Sequence, residues 1–392
     1  MSAAVIVDAV RTPIGRRAGA LARWRADDLA AYTVRALMRR IGAAVNVDEV
    51  IAGCVMQVGE QALNIARRAA LLADIPVAVP ASTVDFQCGS GMHAVISGAR
   101  QIAAGDAQTV LAFGVETMTR VPLGATRETY GEPYGDRFLA RHEMISNGLS
   151  AERIAHLYGI TRRDLDAFSF SSHARAAEAT DQGYFAREIT PVPSDPGADE
   201  SAPGDLVMRD EGIRQDTSVQ ALSMLRPVFA ADGMVTAGSS SQISDGAAAL
   251  LLMSETAARS AGLVPRARIL HIASVGSDPT LALTGPIDAT RKLLTRAGLS
   301  ITDIDFYEVN EAFAPVVLGW GRALDVPLER INPWGGAIAL GHPLGCSGVR
   351  LITTLMNILE RRDGRLGLAT ICCNGGLGLA VLIERLQRPT NL

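Results

Sequence analysis

One interval occurs twice in this sequence. From Gly91, in CGSGMHAV, 21 residues lead through a helical pattern into a strand pattern at Ala112. From Gly348, in GCSGVRLI, the same 21 residues lead to Ala369. In both places Ser-Gly opens the helical stretch. A duplicated α/β unit accounts for this, and it restricts the chain to folds made of two copies of one layered unit.

The surrounding pattern agrees. AAVIVDAV reads as a strand. DDLAAYTVRALMRRIG reads as a helix with Asp at its start and Gly42 at its end. VDEVIAGCVM is strand-like, and NIARRAALLAD is a helix that stops before Pro76. TVDFQC and TVLAFGVE are strands flanking a helix over 89–104. From about residue 268 the alternation restarts with ARILHIASVG, PIDATRKLLTRAG and DIDFYEVN. GCSGVRLITTLMNILERR, RLGLATICC and LGLAVLIERL complete it. Alternation of this kind predicts an α/β layered sheet. Residues 120–243 differ, with more charge, Pro and turn signals, as in PVPSDPGADESAPGD. The expected division is therefore a first half of residues 1–119 plus 244–267, an inserted loop domain over 120–243, and a second half over 268–392.

Composition narrows the function. The 392 residues are 48% apolar and 20% charged with a net charge of −4, which points to neither nucleic acid nor a membrane surface. The five cysteines form no CxxC pair, so zinc and dithiol readings are weak and no metal is expected. MSAAVIVDAVRTPIG lacks a basic leader, and no apolar run reaches the roughly 18 residues of a spanning helix. A reduced, cytoplasmic, soluble enzyme is expected.

Four segments carry candidate chemistry. Cys88 stands where a strand meets a helix, with glycines against it. Free N–H groups at a helix start favour a thiolate, so Cys88 is expected to lose its proton more easily than a free thiol and to suit attack on an acyl carbon. Taken alone it also fits a small buried hydrophobe. His342, in GGAIALGHPLGCSG, is placed to accept a proton near neutral pH, though a satisfied loop histidine fits as well. Cys372 ends a strand before a glycine turn and alone reads as structural. Asn310 and Glu311, in VNEAFA, sit at a strand end, where parallel sheets place ligands, or form a helix cap.

Together these segments resemble the thiolase family over nearly the whole chain. The matching stretches are VDAVRTPIG, CGSG, DGMVTAG, DGAAALLLMS, VNEAFA, GGAIALGHPLG and the Cys-x-x-Gly-Gly ending. The resemblance implies two βαβαβαββ halves in a five-layered αβαβα core. It implies Cys88 as the acyl-accepting nucleophile, His342 as its base, and Cys372 as the thiol that moves a proton at C2 of the acetyl unit. Asn310 falls on the residue that holds a water in one oxyanion hole, shared with His342. The backbone N–H groups of Cys88 and Asn374 would form the other. Ser241 matches a serine near the pantetheine arm, and Arg214 a basic residue near the nucleotide end of coenzyme A. Coenzyme A is then a co-substrate, with no bound cofactor, and the assembly a homodimer or homotetramer.

The chain departs from the family at informative places. Asp85 replaces a common Asn. Cys346 replaces Ala beside the His342 loop. Asn374 replaces Gly, and Asn tolerates left-handed backbone better than most residues. Ser146-Asn147 stand where short-chain members often carry His-Met. The expectation is a degradative 3-ketoacyl-CoA thiolase of fatty-acid or sterol side-chain breakdown. A biosynthetic acetyl-CoA acetyltransferase, or a thiolase-like lipid-binding protein without catalysis, are the alternatives. Cys346 and Cys373 are expected to be inert.

Overall fold

Strands buried on both faces need helices above and below them, and this chain supplies both. The computed structural model describes residues 3–42, 45–198 and 204–386. Residues 199–203, part of the turn-rich PVPSDPGADESAPGD stretch, lie outside the described residues, as do the outermost residues at each end.

The first half contributes β1 (Ala4–Arg11), β2 (Glu49–Gly53), β3 (Ala81–Val84), β4 (Thr109–Thr117) and β5 (Ser244–Ser254). The second contributes β6 (Ala267–Gly276), β7 (Phe306–Val309), β8 (Leu366–Cys373) and β9 (Leu377–Arg385). In the first half the order is β3-β2-β4-β5-β1, and in the second β7-β8-β9-β6. The halves join edge to edge through a two-residue pairing of β1 with β6. Both halves run parallel at one side and antiparallel at the other. A single parallel bridge, Tyr307 to Ile331, stands where β3 stands in the first half.

The duplication extends to register. Glu49 pairs with Val110, and Phe306 with Gly367. The offset that carries Gly91 onto Gly348 carries the first pair onto the second.

Five layers follow from the packing. Helices α1 (Ala26–Ile41) and α2 (Ile65–Leu72) cover the outer face of the first sheet, where Leu29, Val34 and Ile65 meet Val50, Leu111 and Leu251. Helix α3 (Ser90–Ala104) lies on the inner face. In the insertion, α4 (Asn147–Leu157) and α5 (Arg162–Asp181) are the longest helices. Helices α6 (Gly285–Ala297) and α7 (Ala314–Leu324) cover the second sheet, with Leu293, Val317 and Trp320 against Tyr307, Leu368 and Leu382. Helix α8 (Leu344–Arg361) pairs with α3 between the sheets. Met92, Val95, Val349 and Ile352 share one core with Val110, Leu250, Ala369 and Val381. Val110 faces this central core and Leu111 the outer one, the period-two alternation of a strand.

The two central helices cross at their starts. A Cβ on Gly91 would collide with the Gly345 carbonyl, and one on Gly348 with the backbone of Met92. Both positions of the repeated Ser-Gly therefore need glycine for close approach. The starts of the two helices, which follow Cys88 in one half and His342 in the other, are thereby brought together.

Residues between β4 and β5 are tied to β1 by a fully buried ion cluster. Arg11 bonds Glu188 at 2.7 Å and Asp210 at 2.7 Å. Helix α5 begins with a capping box of Thr161 and Asp164.

Candidate active site

Cys88 sits in a tight turn between β3 and α3. Gln87, just before it, takes a left-handed φ of +50°, a strained conformation for a residue with a side chain. Local bonds hold it. The Ser90 hydroxyl donates to the Gln87 carbonyl at 2.6 Å and accepts from the Phe86 N–H at 2.8 Å. Asp85 accepts from the Gln87 N–H at 2.7 Å, which gives the unusual Asp85 a place in the turn. The backbone N–H groups of Cys88 and Asn374 both face the Cys88 sulfur.

The expectation of an acidic thiol at Cys88 is corrected. Burial pushes it up to about 12, outweighing the two N–H groups that favour the thiolate. The helix start is real, but the desolvation of a buried anion is larger. At rest the residue is a thiol and needs a base.

His342 is the residue expected as the base, and its tautomer follows from its neighbours. Its Nδ1 lies 2.6 Å from the Ser347 hydroxyl oxygen. That hydroxyl donates onward to the Pro343 carbonyl at 2.9 Å, so it accepts from His342, and Nδ1 carries the proton. Nε2 is left as the acceptor, and the Asn310 amide N–H donates to it at 3.3 Å. Burial, with some help from the Arg350 charge, pushes His342 down to about 3. This corrects the expectation of proton uptake near neutral pH: the imidazole is neutral at rest and takes a proton only against a newly formed negative charge. Ser347 was not anticipated as a site residue. Its signal was present in the repeat, since Ser347 occupies in the second half the place of Ser90 in the first.

Asn310 follows the end of β7. Its side-chain oxygen is buried with no protein partner. Neither Asn310 nor Glu311 caps a helix, because α7 starts after Phe313. Glu311 instead ties the loop below the site together. It accepts from Ser172 at 2.7 Å, Asn332 at 2.9 Å and the Ile338 N–H at 3.1 Å. From the other side, the His342 N–H donates to the Gln242 carbonyl at 3.1 Å.

Cys372 lies at the end of β8 among Ile154, Leu283, Ala312 and Val316. Burial raises its thiol far above the usual range, and charge on Cys88 raises it further. Asn374 does not adopt left-handed backbone; Gly375 (φ +85°) and Gly376 (φ +77°) make the turn. Cys346 and Cys373 are fully buried, and burial pushes Cys346 up to about 12 and Cys373 well up.

The remaining candidates fall in two cavities. Arg214 lines one of about 200 Å³ with His173, Leu222, Ser240 and Gln242. Ser241 adjoins this lining, and its N–H donates to the Ala312 carbonyl at 2.9 Å. Ser146 and Asn147 line a second cavity of about 450 Å³ together with Asn374.

Glu116 also escaped the sequence reading. It ends β4, fully buried, and accepts from the N–H groups of Val55 and Met56 at 3.0 Å each and of Gly345 at 2.9 Å. The repeat offset carries Cys88 onto Gly345 and Glu116 onto Cys373. The start of α8 is thus filled by a carboxylate where the start of α3 presents a thiol.

The duplicated five-layered core thus holds one pair of thiols, Cys88 and Cys372, and one imidazole–amide pair, His342 and Asn310. A model of the thiolase N-terminal domain matches residues 4–256, and one of the thiolase C-terminal domain matches residues 263–385. The chain belongs to the thiolase family. It is 48% identical over 397 residues to the 3-ketoacyl-CoA thiolase of Citrobacter koseri, covering 99% of this chain and all of that one. The 3-ketoacyl-CoA thiolase of Salmonella typhimurium is 48% identical over 395 residues, with 98% and 100% covered. Among solved structures, the Bacillus anthracis acetyl-CoA acetyltransferase is similar at a TM-score of 0.90 and 38% identity, over 98% of this chain and 99% of that one.

Proposed function

We propose that this chain is a degradative 3-ketoacyl-CoA thiolase. It would cleave a 3-ketoacyl-CoA with coenzyme A to acetyl-CoA and a shortened acyl-CoA. The observation that carries the reading is the Cys88 sulfur, faced by the N–H groups of Cys88 and Asn374 and close enough to Cys372 for charge on one to act on the other. The names of the 48% identical relatives favour the same reaction.

In this reading the Cys88 thiol gives its proton to Nε2 of His342 as the sulfur attacks the 3-keto carbon. The N–H groups of Cys88 and Asn374 receive the oxyanion. Cleavage of the C2–C3 bond leaves an acetyl-CoA enolate, whose oxygen lies toward Asn310 and His342. Cys372 protonates C2. The acyl group stays on Cys88 until the thiol of a second coenzyme A removes it, which gives ping-pong kinetics. Each step uses groups of the chain and coenzyme A as co-substrate, with no metal. Arg214 and Ser241 would hold coenzyme A, and Ser146 and Asn147 the acyl end. We further read residues 120–243 as a loop unit covering a cytoplasmic enzyme of β-oxidation, and sterol side chains as one substrate class.

A second reading, acetyl-CoA acetyltransferase, is favoured by the Bacillus anthracis neighbour. Thiolysis of acetoacetyl-CoA, a medium-chain 3-ketoacyl-CoA and a steroid 3-ketoacyl-CoA separates the two by kcat/KM. Cys88→Ala is expected to abolish all turnover while leaving the circular dichroism spectrum unchanged. Residual thiolysis in that variant would remove Cys88 from the mechanism.

A further inference from the structure

The cavity of about 450 Å³ beside Asn374 is large and only partly apolar. Asn374 lines it, and the N–H of Asn374 faces the Cys88 sulfur, so the cavity opens toward the place where an acyl group would be attached. Leu139, Met144 and Ile145 supply its apolar wall, and Arg127, Glu132, Tyr134, Ser146 and Asn147 a polar one.

A plain alkyl chain suits such a wall badly. Methylenes gain by burial, but polar groups stripped of water without a replacement bond lose, and the second effect offsets the first where the wall is half polar. Asn147 adds a specific feature: its side-chain oxygen is buried with no hydrogen-bond partner among the described residues. The charges cancel, since Arg127 bonds Glu132 at 2.9 Å. A carboxylate on the acyl group would meet Glu132 as well as Arg127, whereas a hydroxyl pairs with either and with an amide.

We propose that the acyl pocket selects 3-ketoacyl-CoA substrates whose acyl moiety carries neutral oxygen substituents, hydroxyl groups above all, over plain alkyl chains. This rests on the thiolase reading of the site. The test compares three 3-ketoacyl-CoAs of equal carbon number, ending in methyl, hydroxyl and carboxylate, with acetoacetyl-CoA as reference. The wild-type enzyme is expected to turn over the hydroxyl compound with kcat/KM about tenfold above the methyl compound, with the carboxylate lowest. Glu132→Gln is expected to raise the carboxylate relative to the methyl compound about tenfold, by removing the opposing charge. Asn147→Leu is expected to bring the hydroxyl and methyl values to within about threefold. Equal or better turnover of the methyl compound by the wild type overturns the proposal. So does an Asn147→Leu variant that loses all three substrates equally through a higher KM for coenzyme A. Turnover of acetoacetyl-CoA in those experiments leaves the thiolase reading standing, and failure to cleave any of the four substrates brings down that reading itself.

Discussion

At neutral pH the Cys88 proton is held on sulfur. An acid raised to about 12 keeps its proton to higher pH, so its thiolate fraction grows about tenfold per pH unit below that value. The rate of iodoacetamide alkylation of Cys88 in the free protein is expected to rise about tenfold per unit from pH 7 to 9, read by mass spectrometry. A rate independent of pH over that range would mean that the thiolate already exists at rest. Ser347 acts one bond further back. Ser347→Ala removes the acceptor that fixes the His342 tautomer, and kcat is expected to fall at least about tenfold, with a smaller change in KM. Ser347→Thr keeps a hydroxyl and is expected to restore part of the rate, which a purely structural role would not predict. The sequence singles out Cys88 and His342 because each stands beside a glycine next to a regular element, and Cys372 because it ends a strand three residues before Gly375. Glu116 was not, because its bond to Gly345 joins residues 229 apart, and no local pattern announces such a partner.

At the scale of elements, α8 carries the most unusual buried charge. Arg350 bonds Glu308 of β7 at 2.8 Å, and both side chains are essentially inaccessible. Two guanidinium nitrogens and one carboxylate oxygen of this pair have no protein partner. Burial pushes Glu308 up to about 8, against the pull of Arg350. The partners are unequal when one is removed. Glu308 left alone can take up a proton, whereas a guanidinium cannot shed one. Glu308→Leu is therefore expected to destabilise by about 3–5 kcal/mol in urea unfolding, Arg350→Met by less, and the double variant least. Strands and helices of both halves were readable from period and punctuation, and their register followed the repeat. The missing fifth strand of the second half was not. Pro333 has no N–H to give, and Asn332 takes a φ of +45° with its side chain bonded to both polar groups of the Val309 backbone. Extended pairing there shrinks to the single bridge at Ile331.

At the scale of the molecule, one sheet edge is open. Strand β3 pairs on one side only, its residues are half-buried, and Leu63 nearby is 89% exposed. An open edge beside exposed apolar surface is a place for a second chain to pair. Light scattering is expected to give at least twice the chain mass, and Ala81→Pro, at a position whose backbone groups face the open edge, to shift it toward the monomer. A monomeric wild type at micromolar concentration would show that the edge is tolerated bare. The repeat itself has a further consequence. Two helix starts meet across the pseudo-symmetric axis, and each would attract negative charge. One is occupied by the chain's own Glu116 carboxyl group, and the other is open to whatever charge develops on Cys88 and its substrate. The repeat thus ends in a division of labour: one arm of the dyad is filled from within and serves as a fixed abutment, and the other arm is free to react once per chain.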